Sequence, residues 1–183
     1  MIKKFATALA MTAALTVAGS AMAQENPTVG GAPMLVERNI VENAVNSPVH
    51  TTLVAAVQAA DLAGTLSSAG PFTVFAPVND AFAGLPAGTV DTLLMPANKG
   101  DLAGVLTYHV VPGKLSGSDL LRRANAGGAE AQLTTVQGGT LTVVPSGQGV
   151  AVMDGKGTTS VVTTADVNQS NGVIHVVNRV LLP

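Results

Sequence analysis

The second half of the chain consists of alternating β-branched segments separated by turn residues, and this pattern constrains the fold more than any other. The segments read QLTTVQGGTLTVVP, GVAVMDGKGTTSVVTT and GVIHVVNRVLLP. Alternation of apolar and polar residues is typical of strands with one buried face. The Gly138-Gly139 pair and the run Asp154–Gly157 are hairpin turn signals. The pattern therefore predicts a sheet of antiparallel strands.

The first half of the chain has helical patterns instead. Ser47-Pro48 predicts a helix start, because a serine hydroxyl accepts a hydrogen bond from an unpaired backbone N–H and proline suits the first helical position. Apolar residues then recur at helical spacing, at Val49, Leu53, Val57 and Ala60. Helices that precede a run of strands predict the α+β class, with an antiparallel sheet or sandwich covered by helices.

The N-terminus has the features of a secretory signal peptide. Lys3 and Lys4 precede an uncharged apolar run that ends in Ala21-Met22-Ala23. This run is shorter than the roughly 20 residues that a membrane-spanning helix needs, and the small residues suit a signal peptidase. We therefore expect cleavage after Ala23 and a secreted or periplasmic protein that is not inserted in the membrane.

The remaining chain has the size of one domain. Residues 24–38 contain several prolines and glycines and predict a flexible leader, and residues 39–183 are expected to form a single domain. The formal net charge of the whole chain is −2, and its basic residues are scattered, which argues against a nucleic-acid partner. The chain has no cysteine, which excludes disulfides, thiol nucleophiles and cysteine-ligated zinc.

Motifs of catalysis and of metal binding are missing from the sequence. No Gly-x-Ser-x-Gly nucleophile motif occurs. The three histidines, His50, His109 and His175, lie far apart and form no pair at the spacing of metal ligands. The sequence therefore predicts a protein that is not an enzyme, with no catalytic residues, no metal site and no cofactor.

Three segments resemble, in order and spacing, the characteristic motifs of the fasciclin domain family. They are FTVFAPVNDAF (Phe72–Phe82), YHVVPG (Tyr108–Gly113) and NGVIHVVNRVLLP (Asn171–Pro183). The resemblance implies a wedge-shaped antiparallel β-sandwich with helices packed along one side. It also implies a role without enzymatic activity, since members of the family mostly act in cell adhesion and matrix contacts.

The resemblance further implies a set of partner-binding residues. Tyr108 and His109 match one recognition site of the family, and Asp166-Val167 matches a second site, with valine where isoleucine is usual. The exposed pair at Asp166-Val167 is expected to lie on the partner-binding surface.

The residues around His109 favour a structural role for this side chain. An imidazole in an apolar run is tolerated only when it is hydrogen-bonded. We therefore expect His109 to be buried, with a ring nitrogen bonded to a backbone carbonyl or to the side chain of Asn79 or Asp80. Tyr108 follows the same logic, because its ring can fill core space while its hydroxyl finds a partner.

Two functions remain open at this point. The first is adhesion or matrix interaction, with a surface protein or polysaccharide of the envelope or matrix as the partner. The second is transport of an apolar small molecule in a cavity between the sheet and the helices, since some fasciclin-like proteins are thought to bind pigments. The sequence leaves the oligomeric state undetermined.

The signal-peptide interpretation predicts that the exported protein begins at Gln24. N-terminal sequencing of the exported form checks this. A chain that retains residues 1–23 and sediments with membranes would contradict it.

Overall fold

The computed structural model describes residues 26–183. The predicted signal peptide, residues 1–23, lies outside the described residues. The α-helices of the described part are α1 (Ile40–Asn46), α2 (Thr51–Ala59), α3 (Ala63–Leu66), α4 (Asn79–Ala83), α5 (Thr89–Leu94), α6 (Lys99–Tyr108) and α7 (Gly117–Ala126). Short 3-10 turns span Pro96–Asn98 and Gly128–Ala131.

The strands form one mixed sheet in the order β2-β1-β7-β6-β5-β4-β3. They are β1 (Phe72–Pro77), β2 (Val110–Pro112), β3 (Gln132–Thr134), β4 (Thr140–Ser146), β5 (Gly149–Met153), β6 (Thr159–Gln169) and β7 (Gly172–Val177). The α+β class is confirmed. The antiparallel description needs one refinement, because β1 and β7 run parallel while every other neighbouring pair is antiparallel.

Strand β6 connects the two halves of the sheet. Its first residues pair with β5, and its later residues pair with β7. The register shifts between Val162 and Val167, where Asp166 has a positive φ of 58°. Such irregularities bend a strand. The sheet nearly closes on itself, since the N–H of Val136, just beyond β3, donates to the carbonyl of Val110 in β2 at 2.8 Å.

The central strands are buried on both faces, and alternate side chains enter two different cores. Val74 of β1 and Ile174 of β7 join a core formed with helices α1 to α6. Phe75 and Val177 point the other way, into a core completed by α7 and strands β3 to β5. The helical cover on one face and the folded-over sheet on the other explain the sandwich character of the domain.

The described part of the predicted flexible leader, residues 26–38, packs against the domain. Val29 and Met34 are buried in the helical core. The side-chain oxygen of Asn26 accepts a hydrogen bond from the N–H of Asn168 at 2.8 Å. Residues 26–38 therefore contact the domain through the buried side chains of Val29 and Met34 and through the hydrogen bond to Asn26.

Helix α2 starts later than the Ser47-Pro48 signal predicts. The helix begins at Thr51, with His50 as its N-cap residue. Ser47 is instead the C-cap of α1, where its N–H donates to the carbonyl of Ala44. Its hydroxyl lies 2.8 Å from Nδ1 of His50, so the serine serves the turn between the two helices.

Asn171 ties the helices to the start of β7. Its Oδ1 accepts from the N–H of Ile40 at 3.0 Å, at the first residue of α1. Its side-chain N–H groups donate to the carbonyls of Leu66 at 2.7 Å and Ser68 at 2.9 Å. One amide thus satisfies three backbone groups at the ends of α1 and α3.

Replacement of this side chain in Asn171→Ala is expected to lower the free energy of unfolding by about 2–3 kcal/mol, because it leaves partly buried backbone groups unpaired. Urea denaturation followed by circular dichroism measures the loss. The control is Asn125→Ala on the exposed side of α7, which should change stability by no more than about 0.5 kcal/mol. Equal midpoints for the two variants would contradict the role of Asn171.

Candidate functional site

Tyr108 is buried at the end of α6 and links two parts of the sheet. Its hydroxyl donates to the carbonyl of Thr140 at 2.8 Å and accepts from the N–H of Gly155 at 3.0 Å. The ring lies against Gly139, where a Cβ atom would come within 2.5 Å of Cε2. Gly139 of the predicted hairpin turn therefore also leaves room for the Tyr108 ring, because any larger residue would clash with it.

His109 is buried and uses both ring nitrogens. Its Nδ1–H donates to the carbonyl of Val105 at 2.8 Å, and Nε2 accepts from the N–H of Leu181 at 2.9 Å. The predicted burial and the bond to a backbone carbonyl are confirmed. Asn79 is not the partner, because its side chain bonds the backbone of Thr52 and Pro48 at the start of α2.

Burial lowers the pKa of His109 to about 4. The carbonyl of Val105 and the negative charge of Asp154 oppose this shift in part. The imidazole is therefore neutral at physiological pH, in the tautomer that its two hydrogen bonds select. A neutral ring with both nitrogens occupied holds α6 to the C-terminal segment and has no site for proton transfer.

Asp154 belongs to this cluster, and sequence reasoning identified it only as part of a hairpin turn. Its Oδ1 accepts from the N–H groups of Lys156 at 2.9 Å and Thr158 at 2.8 Å. Its Oδ2 accepts from the N–H of Leu182 at 3.1 Å. The carboxylate and His109 together bind consecutive N–H groups of the C-terminal segment, a long-range contact for which the local sequence carries no signal.

The pair Asp166-Val167 is divided between the surface and the core. Val167 is fully buried, which corrects the expectation that both residues are exposed. The reason is the irregular stretch of β6, which turns Val167 toward the helical core. Asp166 is half-buried, and its Oδ1 accepts from the N–H of Gly117 at 2.7 Å, at the first residue of α7.

His175 extends the polar contacts of Asp166 into the sheet. Its Nδ1 accepts from the N–H of Asp166 at 3.3 Å, and its Nε2–H donates to the carbonyl of Leu115 at 2.8 Å. Burial lowers the pKa of His175, so this ring is also neutral. Asp166 therefore has a structural task at the start of α7 in addition to any contact with a partner.

The four residues implied by the family resemblance do not form one surface. Tyr108, His109 and Val167 are buried, and a partner can reach only the carboxylate of Asp166. Asp166 lines an open groove of about 580 Å³, counted with its open side. We call it the α7 groove, and its walls also include Gly117, Ser118, Leu121, Gln148, Val162 and Thr163.

Over residues 26–183, no group of three or more histidine, aspartate and glutamate side chains is placed to hold a metal ion. The helices of the same part of the chain are all too short or too polar to cross a membrane.

The fold defines the class of this protein as an α+β domain with a nearly closed mixed sheet and helices over one face. A solved structure with the same fold is that of the FAS1 domain pair from the insect cell adhesion molecule Fasciclin I, with a TM-score of 0.71 and 18% sequence identity. The match covers 84% of this chain and 52% of that chain, so this chain spans about half of the domain pair.

The chain belongs to the fasciclin domain family, whose profile matches residues 48–183. Protein sll1483 of Synechocystis sp. is 49% identical over 146 residues, which are 79% of this chain and 73% of that protein. The cell surface glycolipoprotein MPB83 of Mycobacterium bovis is 30% identical over 167 residues, which are 88% of this chain and 68% of that protein. The family assignment from the three motifs is thereby confirmed.

The buried histidines predict a loss of stability in acid. An unfolded His109 titrates near 6.5, whereas the folded pKa is about 4, so the unfolded state binds more protons between these values. The contribution of His109 to the free energy of unfolding is therefore fully present above pH 6.5. It falls by about 3 kcal/mol as the pH drops to 4. His50 and His175, whose pKa values burial also lowers, add in the same direction.

Urea denaturation at intervals between pH 7 and pH 4 measures this dependence. His109→Ala should lose roughly 1–3 kcal/mol at pH 7, because Leu181 and Val105 lose a partner. It should also show a shallower pH dependence than the unmodified protein. If the free energy of unfolding changed with pH equally steeply in the variant and in the unmodified protein, His109 would not be the neutral, buried residue described here.

Proposed function

We propose that this protein is an exported binding module without enzymatic activity, which makes adhesive or matrix contacts at the cell envelope. The observation that carries the proposal is the fasciclin match over residues 48–183. A relative named as a cell surface glycolipoprotein and a structural neighbour from a cell adhesion molecule support this location and role. The apolar N-terminal run that ends at Ala23 supports export into the periplasm or the medium.

The hydrogen bonds of His109, His175 and Asp154 support a binding function over a catalytic one. His109 and His175 have both ring nitrogens engaged with the backbone or a neighbouring N–H. The carboxylate of Asp154 accepts hydrogen bonds from three backbone N–H groups. A general base or nucleophile needs an accessible group that can exchange a proton with a substrate, and these side chains are committed to the fold.

We assign partner contact to the α7 groove. Ser118, Gln148 and Thr163 provide hydrogen-bonding groups on an exposed rim, and Leu121 with Val162 provides partly buried apolar walls. A mixed lining of this kind suits a surface protein or a polysaccharide, which presents hydroxyl or amide groups beside apolar patches. Asp166 adds a carboxylate at the wall where α7 begins.

Two substitutions are expected to weaken partner binding while the fold is retained. Gln148→Arg places a long charged side chain in the groove from an exposed turn. Asp166→Asn removes the charge but keeps an oxygen for the N–H of Gly117, and asparagine tolerates the positive φ at this position. Binding of the exported protein to separate envelope polysaccharide and envelope surface protein fractions, measured by biolayer interferometry, should fall at least tenfold for each variant.

Gln132→Arg on the exposed face of β3 is the matched control and should bind as the unmodified protein does. Asp166→Ala is not a suitable probe, because loss of the acceptor for Gly117 is expected to cost about 1–3 kcal/mol of stability. Equal binding by Gln148→Arg and Gln132→Arg would remove the groove from the proposal. Absence of binding to both fractions would contradict the adhesive function itself.

A further inference from the structure

Asn171 is followed by Gly172, and this is the only Asn-Gly pair in the chain. Such a pair is reactive because the backbone nitrogen of the glycine can attack Cγ of the asparagine, and glycine has no side chain that hinders the attack. The new N–Cγ bond forms while the side-chain nitrogen leaves as ammonia with the proton of the backbone N–H. Water then opens the cyclic imide to aspartate or to isoaspartate, so the reaction needs only water.

The backbone around the reactive nitrogen is held by two neighbouring strands. Ser170 and Asn171 connect β6 to β7, since Gln169 pairs with Gly172 across them, and we call this connection the β6–β7 turn. The carbonyl of Asn171 accepts from the N–H of Phe72 at 3.1 Å, and Gly172 is in register with Phe72 of β1. The peptide unit that would attack is therefore part of the central sheet.

The side chain that would be attacked is held as firmly. Asn171 is 9% exposed, and its Oδ1 accepts from the N–H of Ile40 at 3.0 Å. Its Nδ2 donates to the carbonyls of Leu66 at 2.7 Å and Ser68 at 2.9 Å. The reaction draws Cγ into a ring with the Gly172 nitrogen and releases Nδ2 as ammonia. These three hydrogen bonds must therefore break before the reaction can proceed.

Breaking the three hydrogen bonds requires a large opening of the domain. Ile40 begins α1 and Leu66 ends α3, and the side chains of both residues are buried in the helical core. Release of Asn171 thus separates α1 and α3 from the β6–β7 turn and exposes part of this core. Openings that expose a core have free energies close to that of global unfolding. The reaction is therefore confined to molecules that have largely unfolded.

Neither product of the reaction fits the native site. Aspartate places a carboxylate oxygen where Nδ2 donates to the carbonyls of Leu66 and Ser68, so oxygen faces oxygen and a charge is buried. Isoaspartate lengthens the main chain by one methylene at the β6–β7 turn, where β7 has to keep its register with β1 and β6. Both products are therefore expected to refold with a lower free energy of unfolding.

We propose that Asn171 is a site of spontaneous deamidation that the folded domain protects and that unfolding exposes. A molecule that stays unfolded long enough to react is permanently destabilised, so the modification limits its return to the folded state. The proposal goes beyond the adhesive function and requires no partner. Its success or failure is therefore independent of binding at the α7 groove.

The test incubates the exported protein in native buffer and in urea, at the same pH and temperature. Trypsin then releases the peptide Gly157–Arg179, which contains Asn171 together with Asn168 and Asn178, and fragment mass spectra locate the mass gain of deamidation. Asn171 should react at least a hundredfold faster in urea than in native buffer. Asn168 and Asn178 are internal controls and should react slowly in both, because a large side chain follows each of them. A sample digested without incubation corrects for reaction during digestion.

A pair of variants links the reaction to unfolding. His109→Ala removes hydrogen bonds far from the β6–β7 turn, and in native buffer it should speed deamidation of Asn171 about tenfold for each 1.4 kcal/mol of stability that it loses. Asn125→Ala on the exposed side of α7 is the matched control and should react at the rate of the unmodified protein.

The fate of the product completes the test. Ion exchange separates the deamidated protein by its added negative charge, and after refolding its urea midpoint should be lower than that of the unreacted fraction. Equal rates at Asn171 in native buffer and in urea would overturn the protection by the fold. A rate in urea no greater at Asn171 than at Asn168 would remove the site. Equal urea midpoints of the two fractions would show that the modification does not destabilise the domain.

Discussion

The parallel pairing of β1 with β7 is the contact on which the rest of the structure depends. The two strands are in register from Phe72 opposite Gly172 to Pro77 opposite Val177, and they join the first and last motifs of the chain. At Gly172 a Cβ atom would come within 2.1 Å of the carbonyl oxygen of Phe72, so glycine permits the close approach. Both faces of this pair are buried, and therefore both cores are built on it.

Buried polar side chains connect the outer elements to this central pair. His175 lies on β7 and links the start of α7 to the bulge of β6, while His109 and Asp154 bind the segment that follows β7. Buried polar groups whose hydrogen bonds are all made favour one arrangement of the surrounding helices and strands, because another arrangement would leave these groups without partners. The Tyr-His motif is therefore explained by its hydrogen bonds and its packing within the fold.

The α7 groove lies between α7 and the strands β5 and β6, beside the second core. The partner contact that we propose therefore lies on the side of the central sheet that carries α7, away from helices α1 to α6.

Local patterns in the sequence determined the α+β class, the hairpin turns and the burial of His109, because alternation, turn residues and an imidazole in an apolar run depend on neighbouring residues. Only the tertiary structure decided that Val167 faces the core, because the register shifts in β6 set which of its side chains turn inward. It also decided that Asp154 binds Leu182 and that His109 binds Leu181. These contacts join segments distant in the chain, and the partner of a buried polar atom is set by which segments the fold brings together.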